Sequence, residues 1–231
     1  MHGLWIIIII LLISSAPLIA VYVWFRLARY QFPVVRFLFT LLAGAAAFFP
    51  ALIFQRFLNF PLFAGGRVEL FFHFFVRIAF TEELSRFLIL LIFFWSSNIR
   101  TNAAEQPSYN AVKYGAAAGL IAGFGFAILE NTLYGAADFN ILLLRTITAA
   151  PLHAACGSRV GAAAVMFRSS RLQAVLRFFT AVAIHGIYNF MIALPGLPSI
   201  AAILVVISAF ASSIMTIRGG WENTQHEYQP S

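Results

Sequence analysis

The sequence predicts an all-α, polytopic membrane helix bundle of about seven transmembrane helices. Two observations carry that prediction. The 231 residues are 61% hydrophobic and only 10% charged, against about 45–50% and ~25% in a soluble domain. Apolar runs of about 20 residues, long enough to cross a bilayer as helices, recur between short polar links. No polar block is long enough to form a second domain. We therefore expect a single membrane domain over residues 1–231, with the chemistry in 68–194 and a mobile cytoplasmic tail at 219–231.

The spans are taken in order as 4–25, 34–54, 68–95, 114–134, 140–167, 172–194 and 199–217. The first, within MHGLWIIIIILLISSAPLIAVYVWF, has no Lys or Arg before its apolar run. That run also exceeds the ~7–15 residues of a signal-peptide core, so a retained span is expected. The third and fifth are long and should tilt or extend past the membrane. The fourth places Gly115, Gly119 and Gly123 on one face, and the fifth repeats the spacing at Gly157 and Gly161. Small residues four apart let helix backbones approach closely, so these faces serve packing. Pro151 should kink the fifth span. The first, second and seventh spans carry almost no polar groups.

Loop charge gives the orientation. With seven spans, one side receives Arg26, Arg29, Arg36, Arg100, Lys113, Arg168, Arg171 and Arg218, and the other only Arg56 and Arg67. The basic side is cytoplasmic, which puts the N-terminus outside and the C-terminus inside. This also accounts for the net charge of +7. No basic patch with interleaved aromatics is present, so nucleic acid is not an expected partner. Cys156 is the single cysteine and can form no internal disulfide.

Ionisable or strongly polar groups well inside the apolar spans are few and concentrated. The third span has Glu82, Glu83 and Arg86, with His73 and Arg77 nearer its outer end. The fourth has Glu130 and Asn131, the fifth Arg145, His153 and Arg159, and the sixth His185 and Asn189. A charge at mid-bilayer costs about 2.5–3.5 kcal/mol on insertion scales, so such residues face the bundle interior and often mark function. Helical spacing lets Arg86 pair with either Glu82 or Glu83, and puts Phe126 with Glu130, and His185 with Asn189, on shared faces. Structural readings stand beside the functional ones. An ion pair can fix helix packing, histidines can be satisfied by interhelical hydrogen bonds, and Arg145 and Arg159 can snorkel.

Two carboxylates and one or two histidines in a partly dry cavity suit water activation. One acidic group remains a base while another carries a proton, and His185 with Asn189 can direct donors at one oxyanion. Such a set hydrolyses an amide. Ser85 is not in a nucleophile elbow, and Cys156, three residues after His153, is a weak thiolate candidate.

EELSR at 82–86, FAILEN at 126–131, His153 and HGIYN at 185–189, in that order on successive spans, resemble the PrsW family of membrane proteases. That family belongs to a wider group with the CAAX prenyl endopeptidases. Its first motif usually has lysine where this chain has Arg86. CAAX-type members have arginine one place later, at Phe87 here, and histidine where this chain has Glu130. The resemblance implies a glutamic-type intramembrane protease of the bacterial cytoplasmic membrane. Glu82 would activate water with Glu83 as its essential neighbour and Glu130 as the second-motif partner. His185 and Asn189 would stabilise the transition state, and Arg86, Phe126 and His153 would support them. The implied substrate is a single-span membrane protein, such as an anti-sigma factor receiving its first extracytoplasmic cut. No cofactor is then expected.

Three alternatives stay open. Glu82, Glu130, His153 and His185 are acceptable zinc ligands, although no HExxH signature occurs and Arg86 would repel a cation. A proton-coupled transporter would use the same residue types, but no inverted repeat is apparent. A non-catalytic membrane scaffold is the third. Oligomeric state is not legible.

Overall fold

The computed structural model describes residues 2–30, 32–58, 66–96, 109–194 and 199–218, and among them every regular element is helical. The order is α1 (His2–Leu27), α2 (Val34–Phe57), α3 (Arg67–Phe72), a π-helical segment (His73–Phe80), α4 (Thr81–Ser96) and α5 (Tyr109–Ala137). Then follow α6 (Phe139–Ile147), α7 (Ala149–Met166), α8 (Arg171–Ala193) and α9 (Ser199–Arg218). The expected tail at 219–231 and most of the polar loop after α4 lie outside the described residues.

Among the described residues, α1, α2, α5, α8 and α9 are long and apolar enough to cross a membrane. The pair α6 and α7, bent by 41°, adds a sixth span when taken together. The chain is a multi-pass membrane protein. Large apolar side chains cover its outside, among them Ile6, Leu12, Phe39, Phe49, Leu176 and Leu204. The polar groups are inside, so the distribution is that of a body immersed in lipid.

Two expected spans depart from regular helices. Residues 68–95 are helical throughout, but His73–Phe80 is wound as a π-helix directly before Thr81 and Glu82. A π-helical stretch inserted in an α-helix is rare and frequently sits at a functional site. The fifth span, expected as one kinked helix, divides at Thr148. Pro151 supplies the reason: it has no N–H for the carbonyl of Ile147, and its ring clashes with that carbonyl. The regular helix therefore ends at Ile147, and α7 restarts with Leu152 N donating to Thr148 O at 3.1 Å. Asp138 starts α6 by accepting from Asn140 N at 2.8 Å.

The glycine faces do what their spacing predicts. A Cβ on Gly119 would collide with the backbone of Gly157, one on Gly161 with Gly115, and one on Gly123 with the carbonyl of His153. The two helices run antiparallel with their backbones in contact, and α7 is almost wholly buried. This contact delivers His153 to α5 at the level of Gly123, two turns from Glu130. On its other side α5 receives α2, where Gly44 meets Ala122 and Gly125 meets Leu41 backbone to backbone.

Candidate active site

The site is built around α4, whose first turn carries Glu82 and Glu83. Glu83 and Arg86 are both 0% exposed. Of the two pairings that the spacing allows, the structure has Arg86 Nη2 on Glu83 Oε1, at 2.5 Å. Its other terminal nitrogen, Nη1, donates to His153 O at 3.0 Å, and the guanidinium lies 4.7 Å from the centre of the Phe126 ring. Arg86 thus ties α4 to both α5 and α7.

The histidine tautomers follow from their partners, since arginine only donates and an ionised carboxylate only accepts. Arg86 Nη2 is 3.3 Å from His153 Nδ1, so Nδ1 is an acceptor there. The proton of a neutral His153 therefore lies on Nε2, which is 2.7 Å from Glu130 Oε2. His185 is the reverse case. Its Nδ1 lies 2.8 Å from Glu83 Oε1 and donates to it, leaving Nε2 toward Glu82. The two imidazole rings meet edge to face with centres 5.0 Å apart.

Glu130, from the last third of α5, also receives Arg145 of α6, with Nη2 2.6 Å from Oε2. Arg145 Nε donates to Asn131 Oδ1 at 3.0 Å, and its guanidinium stacks 4.1 Å from the Tyr134 ring centre. Arg145, expected to be structural or snorkelling, is the cationic partner of the Glu130 carboxylate. The break at Thr148 sets the direction in which α6 presents it.

Glu82 differs from its neighbour. Its Oε1 accepts from Gln55 Nε2 of α2 at 3.0 Å. Its Oε2 has no hydrogen-bond partner among the described residues and lies 3.8 Å from His185 Nε2. That gap exceeds hydrogen-bond range, so Oε2 is a buried acceptor facing His185 with its lone pairs unused. Glu82 also borders a cavity of about 630 Å³ together with Glu130 and Asn189. Apolar side chains such as Leu52, Phe74 and Ile192 make up much of its wall. Glu83, Arg86, His153 and His185 lie behind that wall, so the expected site residues fall into a cavity-facing group and a buried support.

Glu82, Glu83, Arg86, Phe126, Glu130, His153 and His185 are therefore brought together, with Asn189 one turn beyond His185 on the cavity. Among the described residues no hydrogen bond is made by the Asn189 side chain. Ser85 and Cys156 do other work. The Ser85 hydroxyl donates to Ala47 O of α2, and Cys156 Sγ contacts Ala181 O of α8 at 3.5 Å. Arg159 holds α9, with Nη1 donating to Ser213 Oγ at 2.9 Å, which is a structural role. Helix α2 runs past the expected span 34–54 to Phe57 and so contributes Gln55. A lone amide one residue before Arg56 at the end of an apolar run was the signal available.

Carboxylates and imidazoles from α4, α5, α7 and α8 gather at and behind the wall of a cavity within a lipid-immersed bundle, a composition that suits an intramembrane hydrolase. A family model described as "PrsW family intramembrane metalloprotease" matches residues 33–215, and the chain belongs to that family. It is a membrane protease. No curated protein and no solved structure matches the chain.

The family description implies a metal. Glu82, His153 and His185 each offer one ligand atom, all within 4.8 Å of one another. Three protein ligands with water in the fourth position are the composition of a catalytic zinc site. The Glu83 carboxylate on His185 Nδ1 is also the usual outer support of a zinc-binding histidine. The donor types and the size of the cluster therefore fit. His153 could ligate through Nδ1, which now accepts from Arg86, or through Nε2 once its proton has left and its contact with Glu130 is given up.

Proposed function

We propose that the protein hydrolyses a peptide bond of a membrane-anchored protein with water activated by Glu82. The observation that carries this reading is the buried, unpartnered Oε2 of Glu82, a residue on the cavity wall, 3.8 Å from His185 Nε2. A water between them gives a proton to Glu82 as its oxygen attacks the scissile carbonyl. The charge that develops on the carbonyl oxygen is met by the Asn189 amide, while His185, its Nδ1–H held on Glu83, offers Nε2 as an acceptor that orients the water. Collapse of the tetrahedral intermediate breaks the C–N bond, and Glu82 returns its proton to the leaving amine. Glu130, held by Arg145 and His153, keeps a second negative charge on the cavity wall.

The substrate is a single-span protein of the bacterial cytoplasmic membrane, an anti-sigma factor being the class that the family resemblance suggests. With the N-terminus outside, the cavity opens at the outer ends of α2, α5 and α8, which suits an extracytoplasmic cut. The test is reconstitution in liposomes with tagged single-span candidates. Cleavage by the wild type, lost in Glu82→Gln and in His185→Ala, is the expected result. Processing that survives both substitutions ends the reading.

The cluster of Glu82, His153 and His185 favours a second reading. Zinc held by those three residues would polarise a water in place of carboxylate activation alone. Loss of cleavage on chelation, restored by zinc, would select it.

A further inference from the structure

Gln55 stands in the last turn of α2, and both of its ends are engaged. Its side-chain Nε2 donates to Glu82 Oε1 at 3.0 Å, and its backbone carbonyl accepts from Arg77 Nε at 3.2 Å. The last four carbonyls of a helix lack intrahelical donors, so Arg77 satisfies one that α2 leaves open. Arg77 belongs to the π-helical segment and precedes Glu82 by five residues. In a regular α-helix five residues leave two side chains about 140° apart around the axis. Hydrogen bonding from i to i+5 brings them closer to one face, and here both reach the same residue. About two turns earlier on α2, the Ser85 hydroxyl on Ala47 O braces the same pair of helices independently.

We propose that Gln55 is a positioning residue that determines which oxygen of Glu82 acts on water. The terminal torsion of a glutamate is soft, and its two oxygens are chemically equivalent. The amide N–H on Oε1 stops that rotation and leaves Oε2 directed at His185 Nε2. Arg77, by holding the Gln55 backbone, fixes the amide in turn. Gln55 also borders the cavity, and the role assigned to it runs through the Glu82 carboxylate. The inference rests on the proposed role of Glu82 as base.

The test uses full-length protein in liposomes, with the single-span protein cleaved in the assay above as the probe. Gln55→Met removes the donor, and Gln55→Glu keeps the shape while replacing the donor with a second carboxylate. Both are expected to lower kcat by roughly 10- to 100-fold with KM little changed, as for a small misplacement of a reacting group. Gln55→Glu should be no better than Gln55→Met, which packing alone would not produce. Arg77→Met, which leaves the side chain of Gln55 in place, should lower kcat in the same direction by less. A substrate-free check is a crystal structure of Gln55→Met grown from a lipid phase, in which Glu82 Oε2 should have turned away from His185. Wild-type kcat in Gln55→Glu, a loss confined to KM, or an unmoved Glu82 carboxylate overturns the proposal. Full activity in Glu82→Gln would overturn the function instead, so the two failures are distinguishable.

Discussion

Glu83 Oε1 lies 2.8 Å from His185 Nδ1, and Arg86 holds the same oxygen at 2.5 Å. One fully buried carboxylate therefore both neutralises a buried arginine and orients an imidazole. Glu83→Gln should lower stability as well as activity, because Arg86 is left as an unpaired charge in the core, at a cost of about 3–5 kcal/mol. The double variant Glu83→Gln/Arg86→Met should regain stability without regaining cleavage. Thermal melts in detergent beside the cleavage assay separate the two effects.

Gly119 tests the contact that positions His153. A methyl group there meets the backbone of Gly157 and Gly161, which no side-chain rotation relieves. Overpacking costs about 1–3 kcal/mol or more, against up to ~1 kcal/mol gained when alanine replaces glycine in a helix. Gly119→Ala should therefore melt several degrees lower. A raised melting temperature would show that α5 and α7 are not in backbone contact.

Pro151→Ala restores the donor that the carbonyl of Ile147 lacks. The break at Thr148 should relax toward one continuous helix and carry Arg145 away from Glu130. Cleavage is expected to fall by about tenfold while thermal stability holds or rises. Unchanged activity would mean that the bend does not position Arg145.

Chelation separates the two readings of the site. Under water activation by Glu82, a tight zinc chelator leaves the cleavage rate unchanged. A loss that added zinc restores would instead favour a metal held by Glu82, His153 and His185.

The sequence made the site more legible than its supports. Charges at 82, 83, 86 and 130 and histidines at 153 and 185 stand out because lipid-facing helices exclude such groups, and all of them meet around one cavity region. The glycine spacing likewise reported the contact between α5 and α7. The π-helical winding at 73–80 was not legible, because apolar periodicity over so short a stretch does not distinguish it from regular helix. Pro151 marked a kink, but the break falls at Thr148, just after the Ile147 carbonyl that loses its donor. Gln55 escaped because one neutral amide in an apolar helix costs little and signals little, and its role depends on a contact across 27 residues of sequence. The choice between Glu82 and Glu83 for Arg86 needed the rotation of α4 against α7, which spacing leaves open.

The most direct measurement is the single-turnover cleavage rate of Glu82→Gln against wild type, in liposomes, on the same single-span probe. If Glu82 is the base, the rate should fall by about 10²–10⁴-fold while the thermal melt stays within a few degrees of wild type. A folded Glu82→Gln protein cutting within a few-fold of the wild-type rate would contradict the account.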